Sequence, residues 1–180
     1  LKEVITMSYT INNYAGAPAI TVHEAGITDP DTAVVRTRVP LGTIVRGHDP
    51  TYGEGEFIYL KGVASTIVGS IVEYTTSFAT GLETTNVALS RPNAVAMSAC
   101  VANEYGWYQI SGISLMAKNT GTSLVADAGV RASAGFAVAI ATGAVINGAA
   151  IVAVSAAASG TAPTTVAVMI DRPHGPSDVS

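Results

Sequence analysis

Turn-forming residues set the grain of this chain. Glycine, proline and Asn/Asp-rich turns recur roughly every ten residues, and the runs between them alternate with period two. The clearest run is residues 56–61, EFIYLK, where Phe57, Tyr59 and Lys61 share one face and Glu56, Ile58 and Leu60 the other. No stretch joins helical periodicity to capping residues. The expected fold class is therefore all-β: a small barrel or sandwich of short antiparallel strands with an extended N-terminal arm.

Taken in order, residues 1–40 read as the arm and 41–180 as a β-rich domain. Within the arm, 8–24 (SYTINNYAGAPAITVHE) carries short alternating runs suited to an edge strand or to a strand donated to a neighbour. A turn is expected at 25–31 and a strand over 32–39, ended by Pro40. The domain opens with a strand at 43–46, then GHDPTYGEG (47–55) as a glycine-rich loop. After EFIYLK and Gly62, a strand at 63–68 and another at 71–74 meet at a corner, Gly69-Ser70. Residues 94–101 form a small-residue strand, and a turn at 103–106 makes a hairpin with 107–111, extended by 113–116. From 128 onward bulky residues (Phe136, Val138, Ile140) alternate with alanines. Asn147-Gly148 predicts a hairpin turn, with 151–154 as the return strand, although an alanine-rich helix over 148–158 is the alternative. The last strand, 164–171, is expected to stop at Pro173.

The 180 residues suffice for one domain, or a domain plus an arm. Only 12% of residues are charged, about half the usual share. Either small neutral side chains cover the surface, or much of it is buried against other subunits. Net charge is −4 and no Lys/Arg run occurs, which argues against nucleic acid as a partner. The lone Cys100, in AVAMSACVA, reads as a small buried hydrophobe. The first six residues, LKEVIT, are too short and mixed for a signal peptide; Met7 looks like a natural start, and LKEVIT like an extension or an upstream start. Residues 136–158 have the length of a spanning helix, but Gly143, Asn147, Gly148 and the β-branched content argue against a membrane.

Candidate chemistry is sparse. His23, His48 and His174 stand far apart without zinc spacing, so no metal and no cofactor is expected. The best local cluster is His48-Asp49 beside Glu54 and Glu56, two apart and on one strand face. It reads as a carboxylate pair or a loose cation site, or, more simply, as a hydrophilic turn. Gly53-Glu54-Gly55 lacks the third glycine and the following helix of a phosphate cradle. No nucleophile elbow, Walker or zincin sequence occurs, and no enzyme is expected. Among Tyr105, Trp107 and Tyr108, Trp107 reads as a core anchor with Tyr108 facing the other way; Tyr105 suits either core or interface.

At GEGEFIYLKGVAS, SACVANEYGWYQISG and the closing MIDRPHG, the chain resembles the head decoration, or capsid cement, proteins of tailed bacteriophages. The matching pieces are 41–72, 94–112 and 166–173; the Gly106-Trp107 pair and the terminal Arg172-Pro173 are the most telling, and 28–39 has no counterpart. The resemblance implies a non-enzymatic virion protein on the outer surface of the head. It would bind the major capsid protein where capsomers meet, and itself, as a trimer. On that basis the candidate subunit or capsid contacts are Tyr9, Ile11, Tyr14, His48, Tyr52, Glu54 and Tyr105. Other expectations are a tail or minor head protein, or a carbohydrate-binding β module using the aromatics at 105–108.

Overall fold

The computed structural model describes residues 9–11, 17–28, 35–84, 91–119, 123–138, 145–152 and 164–175. Among these residues every regular element is a strand. In order they are β1 (Thr10–Ile11), β2 (Glu24–Ala25), β3 (Ile27–Thr28), β4 (Val35–Arg36), β5 (Ile44–Asp49), β6 (Gly53–Lys61) and β7 (Ile71–Tyr74). Then come β8 (Thr80–Leu82), β9 (Asn93–Ala96), β10 (Glu104–Lys118), β11 (Gly129–Ser133), β12 (Phe136–Val138), β13 (Ile146–Ile151) and β14 (Thr164–His174). The all-β expectation holds.

One strand organises the rest. β10 runs for 15 residues and pairs with β2, β6 and β9 in its first half, and with β14 and β12 in its second. The changeover falls at Gly112 (φ +97°), beyond a register break between Gln109 and Ser111. Gln109 is fully buried there, and its Nε2 donates to the Ser111 and Ile113 carbonyls at 3.1 and 3.0 Å. A side-chain amide thus satisfies backbone acceptors that the irregular ladder leaves over.

The second half of β10 belongs to a closed ring, β10–β14–β13–β11–β12 and back to β10, a five-stranded barrel. Its ladders are antiparallel except the last, a single parallel pair between Lys118 and Ala137. Alternate residues point inward and fill it: Met116, Val130, Ala132, Ala137, Ile146, Ile151, Val166, Val168 and Ile170 pack with Leu124. Ile71 of β7 and Val95 of β9 join the same cluster. A small barrel closes only if side chains occupy its interior, and these apolar residues do so.

The first half of β10 lies in the order β1–β5–β6–β10, a sheet buried on both faces. Phe57, Tyr59, Trp107 and Leu115 pack on one face with Tyr9, Ile20, Val39 and Val45. Ile58, Leu60, Tyr108 and Ile110 pack on the other with Val72, Ala94 and Ala96. This explains why EFIYLK is apolar at neighbouring positions. Trp107 and Tyr108 face opposite ways, and Cys100 is buried, as expected. In the 1–40 segment β1 and β2 pair with this chain's own sheet and Tyr9, Ile20 and Val39 are inside the core, whereas β3 and β4 pair with each other and expose Ile27 and Val35.

Several local expectations are corrected. Residues 47–55 are not an open loop but the closed end of the β5–β6 hairpin. Residues 63–68 do not form a strand; they turn, with Ser65 at φ +67° and only a Thr66–Cys100 bridge. The strand expected at 94–101 ends at Ala96. Over 32–39 the described strand is the two residues of β4, paired with β3. Asn147-Gly148 makes no hairpin: both residues lie inside β13, where Gly148 (φ +73°) forms a bulge against β14. A Cβ there would sit 2.5 Å from the Asp171 carbonyl oxygen, so glycine serves close strand approach rather than a turn. Pro173 does not stop β14, because the register break beside it removes the need for its missing N–H. Phe136–Val138 and Gly148–Ile151 are strand, which displaces the helical alternative in the described part of 136–158. No helix among the described residues is long and apolar enough to cross a membrane.

Candidate functional site

The β5–β6 hairpin carries the charged cluster singled out above. Asp49 pairs with Gly53, and Pro50, Thr51 and Tyr52 turn the chain between them. Asp49 Oδ1 accepts from the Thr51 and Tyr52 amides at 2.7 and 3.0 Å, an Asx-type closure. Gly53, at φ +78°, supplies the left-handed residue that returns the chain to the ladder. β5 then alternates: Ile44, Arg46 and His48 point to solvent, while Val45, Gly47 and Asp49 are buried.

On the exposed face the charges meet across the ladder. Arg46 is opposite Glu56 and His48 opposite Glu54. Arg46 Nε lies 3.3 Å from Glu56 Oε1, and His48 Nδ1 3.0 Å from Glu54 Oε1. Arg172 of β14 reaches the second Glu56 oxygen at 2.5 Å. Glu54 and Glu56 therefore do not act as a carboxylate pair, because each faces its own partner across the ladder, His48 and Arg46. Arg46, Glu54, Gly55, Glu56 and Ser111 line an open depression of about 240 Å³. The arrangement offers paired charges and hydrogen-bonding groups to a facing surface, in water, without desolvating an acid or base.

The other expected contact residues are dispersed. Tyr52 is half-buried in the hairpin turn, and burial raises its hydroxyl pKa. Ile11, in β1, is half-buried opposite Gly47. Tyr9 is buried edge-on against Phe57 and donates to the Ile113 carbonyl at 2.9 Å, so it is a core residue and not an outward contact. Tyr105 is likewise buried, in the cluster around Trp107, because β2 pairs over it. Tyr14 lies outside the described residues. With Tyr105, Trp107 and Tyr108 all buried, the aromatic platform that a sugar would stack on is not at the surface.

Two buried polar groups carry no sequence signal. His23 contacts Ser98 Oγ through Nδ1 and the Tyr108 hydroxyl, 2.9 Å away, through Nε2. Burial pulls its pKa down to about 4, against a smaller opposing effect of Glu104. Glu83 sits at the barrel margin with its amide bonded to the Ile71 carbonyl. Burial, aided by Glu73, pushes its pKa up to about 7. The partners of His23 are 75 and 85 residues away, so spacing cannot reveal them. Among the described residues no group of three or more His, Cys, Asp or Glu gathers in metal-binding geometry. No protein-family model matches the chain, and no curated protein matches it.

Proposed function

We propose that the chain is a non-enzymatic head decoration protein of a tailed bacteriophage. It would bind the outside of the expanded capsid shell, contact the major capsid protein and its own copies as a trimer, and stabilise the shell. One observation supports the reading. The three segments that carry the resemblance are hydrogen-bonded neighbours: EFIYLK lies in β6, GWYQIS in β10 and MIDRPH in β14, and β10 pairs with both others. The resemblance therefore rests on one continuous sheet rather than on scattered fragments.

The physical basis is mass action. A protein that binds only the expanded shell stabilises that state by its binding free energy, and many copies on one particle add their effects. The exposed hairpin, with His48, Tyr52 and Glu54, is the proposed contact surface. Its cross-strand pairs can meet a polar shell with each carboxylate already bonded to a side chain of this chain. Cryo-microscopy of the virion tests the assignment. The expected result is density for this fold in many symmetric copies on the outside of the head. Density confined to the tail, or at a single vertex, contradicts it and favours a tail or minor head protein.

A further inference from the structure

Residues 17–28 wrap the edge of β10: Pro18 and Ile20 lie on the Trp107 face, and His23 ties the segment down on the opposite face, against Tyr108 and Gly106. Trp107 Nε1 donates to the Pro18 carbonyl at 3.1 Å. Tyr59 donates its hydroxyl to Glu24 Oε1 at 3.1 Å, and Glu24 also pairs with Arg38 at 3.4 Å. The backbone ladder is short, with Ala25 opposite Glu104 and Glu24 opposite Tyr105. Between these contacts His23 is buried, its two ring nitrogens on Ser98 and Tyr108. β10 lies flat against the ring: a Cβ at Gly106 would fall 2.6 Å from it.

The surroundings suit a neutral imidazole. Ser98 and Tyr108 offer uncharged hydroxyls, and burial raises the pKa of the Tyr108 phenol. Cys100, beside Tyr108, is held as a thiol by a pKa pushed up to about 11 through burial. Glu104 on β10 is the anion that acts on the ring, and its attraction is weaker than the cost of burying the charge. An imidazolium here would be a buried cation without a contacting carboxylate, which folded proteins avoid.

We propose that His23 is an acid-sensitive clasp: protonating its imidazole frees residues 17–28 from β10 and uncovers Trp107, while the barrel stays closed. The inference is independent of the proposed place on a capsid. The clasp's contribution is complete above the ordinary histidine value of 6.5 and declines as pH falls to about 4. Between pH 7 and pH 4 the ratio of open to closed strap should rise on the order of 100-fold. Glu83 titrates in the same window with the opposite sign, so the comparison has to be made against a variant at position 23.

Trp107 is the only tryptophan in the chain and reports directly. Acrylamide quenching of its fluorescence is measured from pH 7 to pH 4 in the full chain and in His23→Gln, with far-UV circular dichroism alongside. The expected result is increased quenching of the wild type on acidification with the β signal retained, and pH-independent quenching of His23→Gln. An unchanged wild type, a parallel loss of the β signal, or the same pH response in both proteins overturns the clasp. Should His23→Gln fail to fold, Tyr108→Phe removes one hydroxyl from the neutral ring. It should move the quenching midpoint to higher pH, and an unmoved midpoint is equally fatal.

Discussion

A Cβ at position 112 would lie 2.4 Å from the Glu54 carbonyl oxygen, on a backbone held at φ +97°. Gly112→Ala should therefore cost roughly 2–4 kcal/mol, from left-handed strain plus a clash with backbone that cannot move aside, read as a lower urea midpoint. Asp49 is nearly as constrained. Removing its side chain strands the Thr51 and Tyr52 amides, and Asp49→Ala should cost about 1–2 kcal/mol. Glu83 makes a prediction about pH. Its folded pKa of about 7 stands above the ordinary carboxyl value, so its contribution is complete below about 4.5 and is lost as pH rises through 7. Glu83→Gln should remove that slope and leave the protein more stable than wild type at pH 8, by on the order of 1–3 kcal/mol. Equal slopes from pH 5 to 8 in denaturant titrations of the two proteins would contradict this.

Among the elements, the charged hairpin is well formed but weakly cemented by its ions. The Arg46 side chain is 76% exposed, and an exposed cross-strand pair contributes little. A double-mutant cycle on Arg46 and Glu56 should give a coupling below about 1 kcal/mol, and a larger value would show that Arg172 and Glu56 act with Arg46 as a unit. Strand alternation was the most legible signal. EFIYLK shows its two faces because side-chain direction is a local property, and the burial of Trp107 and Cys100 follows from their apolar neighbours. Glycine was the least legible. Gly112, Gly148 and Gly53 all have positive φ, yet one lets a long strand change partners, one forms a bulge and one closes a hairpin. Which use applies depends on the strand opposite, and sequence spacing does not contain that information. The same reason hid His23, whose partners Ser98 and Tyr108 lie 75 and 85 residues away. It also made Tyr9 look like an outward contact, since its alternating run is compatible with a solvent face.

At the scale of the whole molecule, two structures share β10: a closed barrel and a sheet covered on both faces. The barrel seam is uneven. β10 and β14 pair continuously from Ser111–Asp171 to Lys118–Thr164, whereas β10 and β12 meet at one pair. Amide hydrogen exchange should therefore be faster in Phe136–Val138 than in β14, and the reverse order would contradict the ring as described. The proposed role depends on how this body meets a shell, and the sharpest test uses the shell itself. Purified protein is mixed with expanded and with unexpanded empty heads of the tailed phage proposed as its source, and binding is followed by co-sedimentation. A decoration role predicts saturable binding of many copies to expanded heads, little to unexpanded ones, and a higher disruption temperature for the decorated shell. Equal binding to both forms, or binding to neither, would contradict it.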